Sequence, residues 1–167
     1  FDGLCDLADI LKVPEWVISL NGSLSLAFGK GGQKHASAHY NAAKRQLALA
    51  KNAGGGALAH EWFHAFDHYI ARKVFTNTPP MTFASQLWLD NNECSQHPLA
   101  DKLFRIYALL YVNSSGTQPS HYMQRSIAID RKLKIYYFAQ PAEMAARAFE
   151  AYIQDNPIKN HFLAAGT

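Results

Sequence analysis

His60 and His64 stand four residues apart, with Glu61 directly after the first, in the string His60-Glu61-Trp62-Phe63-His64. On an α-helix, residues four apart lie one turn above each other, so both imidazoles can aim a ring nitrogen at a single point. Zinc takes nitrogen ligands at about 2.0–2.1 Å, and a catalytic zinc keeps one position open for water. A carboxylate beside that position need not ligate: it can take the proton of a water whose pKa the ion brings down to about 7. The pentapeptide thus offers two metal ligands, His60 and His64, and a general base, Glu61. The bland alternative is an amphipathic helix whose histidines happen to fall so. Against it, the flanking residues Ala57, Leu58, Ala59, Trp62, Phe63, Ala65 and Phe66 are apolar. Two histidines and a glutamate buried among them need a polar partner, and a metal ion supplies one.

A catalytic zinc has three protein ligands. The best remaining donor lies in the string Gln140 to Glu150, where Glu143, Arg147 and Glu150 share one face of an otherwise apolar, alanine-rich helix. Glu143 is the expected third ligand, with Glu150 its substitute or an outer partner and Arg147 beside them. An ion-pair ladder on a wet face would use the same three residues. His68 extends the histidine series, but two steps of four residues separate it from His60 by about 12 Å along the axis, too far to share an ion. Asp67 is either an orienting carboxylate for the outer nitrogen of His64 or a solvated helix charge. Tyr136 and Tyr137, and after them Tyr122 and His121, are candidate donors to a developing oxyanion.

These residues resemble the HExxH-plus-glutamate metallopeptidases, the gluzincins in the broad sense. More closely, Gly55 to Asp67 and Tyr136 to Tyr152 resemble the zincin-like domain called large polyvalent-protein-associated domain 1, which occurs in giant proteins of phages and conjugative elements, and the small bacterial proteins of the CLCA_X family. The likeness covers roughly Leu20 to Asp155 and is strongest at its two ends. It implies a peptidase with one zinc per chain, held by His60, His64 and Glu143, with Glu61 as base. Against better-studied gluzincins the third ligand comes late, with a helix in between.

The elements that must position these groups can be read around them. Leu4, Leu7, Ala8 and Leu11 mark a helix ending before Pro14. Trp16–Leu20 and Leu24–Phe28 read as strands about the Asn21-Gly22-Ser23 turn. Ser37–Asn41 and Arg45–Lys51 read as a second pair, with Ser37–Asn41 as the open edge on which an extended substrate would lie. The glycines at 29–32 lack the spacing of a phosphate-binding loop. Ala57–Arg72 is the metal helix. Pro98–Val112, with Leu99, Leu103, Ile106 and Leu110 as its core stripe, Tyr122–Tyr137 and Pro141–Asp155 are further helices.

The expected fold is α+β and zincin-like: a small antiparallel or mixed sheet packed on the HExxH helix, with C-terminal helices supplying the third ligand, all in one domain of 167 residues. A net charge of +3, spread along the chain, is no nucleic-acid footprint, and no apolar stretch is long enough to span a bilayer. Cys5 and Cys94 have no metal-knuckle spacing and read as free thiols of a reducing, cytoplasmic setting. The sequence leaves oligomeric state open. Three functions fit: a zinc peptidase acting on a peptide or protein, a zincin-fold module that binds zinc and a partner without turnover, and a zinc hydrolase of some other bond.

Overall fold

The computed structural model describes residues 2–29, 38–49 and 56–164. The chain divides into two compact units, one of residues 1–66 with 149–167 and one of residues 67–148. The architecture is α+β, with seven helices and a three-stranded mixed sheet among the described residues.

The first unit begins with helix α1 (Asp2–Leu11), which buries Leu7 and Ile10 and stops at Lys12, whose φ of 55° is left-handed. Gly3 brings it close to Leu58, the first residue of the helix that carries His60 and His64: a Cβ there would meet Leu58 Cδ2 at 3.1 Å. Helix α2 (Glu15–Ile18) replaces the strand expected over Trp16–Leu20. Pro14 in extended conformation opens it, and Leu20 and Asn21, both left-handed, turn the chain at its end, so the β-forming side chains have no strand to extend. Strands β1 (Ser25–Phe28), β2 (Ala38–Asn41) and β3 (Gln46–Leu49) lie in the order β1-β3-β2, β1 parallel and β2 antiparallel to β3. Leu47 and Ala48 of the central strand are buried, and β2 is an edge, as expected. Gly31, Gly32, Ser37, Ala50, Lys51, Gly54 and Gly55 lie outside the described residues.

Helix α3 (Leu58–Val74) starts in the first unit and continues into the second. Its opening N–H groups need partners, and Leu163 O accepts from Ala59 N–H at 3.1 Å. The second unit also holds α4 (Ala84–Leu89), which the sequence did not suggest, α5 (Ala100–Tyr111) and α6 (His121–Leu133). Helix α7 (Pro141–Asp155) has the expected bounds and returns to the first unit.

Two expectations for these helices are corrected. The face that α5 buries is Ala100, Leu103, Tyr107 and Tyr111; Leu99 and Ile106 are exposed. The two tyrosines win the interior because their hydroxyls find acceptors there, Asp67 Oδ1 at 2.7 Å and Pro141 O at 2.9 Å, while the rings stack on each other. Helix α6 ends at Leu133, four residues before the expected Tyr137, because Lys134 adopts a left-handed φ of 56° and the backbone after it turns onto Asp130.

Candidate metal centre

The first turns of α3 gather the donors. His60 Nε2 and His64 Nε2 face each other at 3.1 Å, their rings nearly perpendicular at 77°. With Glu61 they form a group whose ligand atoms all lie within 4.8 Å of one another. Two nitrogens on a tetrahedral ion at zinc–nitrogen distance stand about 3.3 Å apart, so the imidazole pair fits zinc with little movement. His64 is buried and the other two are half-buried, a placement that leaves the cluster approachable.

The opposite side of the helix fixes this geometry. Trp62 Nε1–H donates to Ile18 O at 2.9 Å, and the Trp62 ring stacks on Phe66 one turn later. Phe149 of α7 lies against both Trp62 and Phe63, with ring centroids 5.5 and 5.1 Å away. That packing sets the position of the next residue. Glu150 Oε2 stands 3.3 Å from His60 Nδ1, and both side chains are largely shielded, at 13% and 15% exposure. A proton on Nδ1, donated to this carboxylate, leaves Nε2 of the neutral ring as a lone pair turned toward His64. Glu150 thus sits on the far side of the ring from the converging nitrogens, where it can orient the imidazole.

Glu61 is anchored by a group that no side-chain motif announces. The backbone N–H of Tyr40, on edge strand β2, donates to Glu61 Oε2 at 2.6 Å. Alternation in a short strand says which side chains face the core, but not which backbone donor meets a carboxylate on a helix.

The other sequence candidates lie in the second unit. Glu143 stands in the first turn of α7. Asp67 is fully buried, which excludes a solvated charge: it accepts from Ser85 N–H at 3.0 Å, Ser85 Oγ–H at 2.6 Å and Tyr107 O–H. Burial, then the negative charge of Asp67, pushes the Tyr107 hydroxyl pKa well up and keeps it a donor. Arg147 serves the loop after α6: it donates to Phe138 O, stacks over the Phe138 and Tyr137 rings, and adds its charge near Asp130. Tyr136 and Tyr137 lie in that loop and are exposed, while Tyr122 spends its hydroxyl on Met144 O. His121 opens α6.

Comparison with known proteins adds one partial likeness. Residues 129–167 match the family described as large polyvalent protein-associated domain 1. The match takes in all of α7, with Arg147 and Glu150, and does not reach the His60–His64 turn, so it is narrower than the Leu20–Asp155 likeness read from the sequence. No curated protein and no solved structure matches the chain.

Proposed function

We propose that this chain is a zinc-dependent peptidase in which His60 and His64 hold the ion and Glu61 is the general base. One observation carries the reading: two imidazole nitrogens converge at 3.1 Å beside a glutamate, with a carboxylate behind the first ring. When bound, zinc would supply a Lewis acid and lower the pKa of a coordinated water. Tyr40 N–H holds one oxygen of Glu61, which leaves the other oxygen to accept a proton from a water at the site. Glu150 keeps the His60 tautomer and raises the basicity of Nε2. The β2 edge expected to take an extended peptide has its Tyr40 N–H already engaged by Glu61, so a substrate backbone would have to pair beside that position.

A second reading, a zinc-binding module without turnover, draws on the same Tyr40 contact, since a carboxylate already engaged by backbone can be structural. Zinc analysis of the purified protein, with digestion of a proteome-derived peptide library by wild type and Glu61→Gln, separates the two. Cleavage lost in Glu61→Gln supports the peptidase. Zinc without cleavage selects the binding module, and a protein that takes up no zinc defeats both.

A further inference from the structure

The outer surface of α6 and the loop beyond it joins charge of one sign to side chains that water does not favour. From Arg131 to Tyr137 seven consecutive residues are exposed. Arg131, Lys132 and Lys134 are cations; between and after them Leu133, Ile135 and Tyr136 are 53%, 46% and 68% exposed. Arg125 and Ile129 continue the strip back along α6 at four-residue spacing. Helix α5, packed against α6, exposes the same mixture on one face: Lys102, Arg105, Ile106 and, at 80%, Leu109.

From Lys102 to Ala142 the single acidic residue is Asp130, and it is turned inward. Its carboxylate accepts N–H groups from Tyr137, Phe138 and Ala139, at 2.8 Å for the last two. This removes the one negative charge of α6 and its loop from the outer surface and fixes the loop while its apolar side chains stay uncovered; on α5 the exposed Asp101 is outnumbered by Lys102 and Arg105. Exposed apolar residues scattered singly are ordinary, but a contiguous set among cations marks an interaction surface.

We propose that this surface of α5, α6 and the 131–137 loop binds an anionic lipid bilayer as a peripheral contact. Each Lys or Arg brought near such a surface is worth about fivefold in affinity. Aliphatic side chains enter the boundary between headgroups and acyl chains, and tyrosines settle at headgroup level. A nucleic acid would use the cations and the tyrosines, but it has no apolar phase for Ile129, Leu133, Ile135 or Leu109. No helix among the described residues is long and apolar enough to cross a membrane, in keeping with a contact that lies on the surface. The inference is independent of the metal reading.

Flotation of the whole chain with vesicles of phosphatidylcholine, with and without phosphatidylserine, tests it. Binding is expected only where phosphatidylserine is present and weakens with salt. The triple variant Arg131→Gln, Lys132→Gln, Lys134→Gln loses on the order of a hundredfold in affinity. Leu133→Ser with Tyr136→Ser binds more weakly than wild type but keeps its salt dependence. All five positions are exposed, and circular dichroism checks that the variants fold. Failure to float with phosphatidylserine vesicles, or a triple variant that floats as wild type does, overturns the proposal. So does capture of a single-stranded oligonucleotide through the same cations without vesicle binding, which would assign the surface to nucleic acid.

Discussion

At Asp67 and at His60–His64 the same helix sets ionisable side chains among apolar neighbours, with different outcomes for their polar atoms. Both oxygens of Asp67 meet protein donors, from Ser85 twice and from Tyr107, and the side chain is wholly shielded. In the earlier turn the two imidazole nitrogens face each other, beside a carboxylate, with partial access from outside. A buried polar group whose lone pairs are consumed by the fold belongs to the fold. Ligand atoms that converge on one another in a reachable place partner each other and also fit the proposed ion.

The sharpest break of this contrast is to remove an imidazole. His60→Ala and His64→Ala should each take the protein from one zinc per chain to none and abolish the rise in melting temperature on adding zinc, since a ligand bound only by the folded state stabilises it; elemental analysis and thermal shift read both. Next in size, Glu61→Gln should keep the zinc and lower turnover by about 10²–10⁴-fold, because an amide cannot take the proton. An unchanged rate in a peptide-cleavage assay would move the base elsewhere.

On the other side of the comparison, Asp67→Asn should cost about 2–3 kcal/mol in urea unfolding by disrupting the hydrogen bonds from Ser85 and Tyr107, with zinc stoichiometry still at one. Loss of zinc in that variant would erase the distinction between the two clusters. Within the proposed metal cluster, Glu150→Gln should weaken zinc about 10- to 100-fold, as for an outer-shell partner; competition with a chromophoric chelator measures it, and an unchanged affinity would remove Glu150 from the site.

The smallest effect is expected at Asp130. Burial would raise its pKa, but hydrogen bonds from Ala139, Phe138 and Tyr137 and the charge of Arg147 outweigh it and hold the carboxyl below its ordinary 3.8. Its contribution to stability is therefore full above that value and is lost as pH falls through the lower folded value. Asp130→Asn should flatten the acid limb of a stability–pH profile there and leave neutral zinc binding alone.

The HExxH turn was legible in the sequence because its chemistry lies in side chains at fixed helical spacing. So were the bounds of α7, where Pro141 opens the helix and Pro157 stands just past its end. The edge position of β2 was legible too. The features that escaped were decided by partners far along the chain. Trp16–Leu20 has the residues of a strand but lies in α2 and its turn, and the burial of Tyr107 and Tyr111 depends on Asp67 and Pro141. Periodicity ranks Ile106 above a tyrosine for the core until those acceptors are known. Helix α4, six residues long, is too short for a periodic signal. The Tyr40–Glu61 contact uses a backbone donor, which every residue but proline carries.

That contact has a consequence for solubility. An edge strand offers its unpaired N–H and C=O groups to any other strand, and proteins blunt such edges to avoid joining sheet to sheet. In β2 the outward N–H of Tyr40 is already occupied by a charged carboxylate from another element, so a neighbouring chain that tried to extend the sheet would meet a filled donor and a negative charge. Glu61 is in this sense a gatekeeper against aggregation as well as a proposed base. Glu61→Ala should therefore bring a tendency to self-associate that Glu61→Gln, which still offers an acceptor oxygen to Tyr40, largely avoids; light scattering of the two variants at matched concentration distinguishes them.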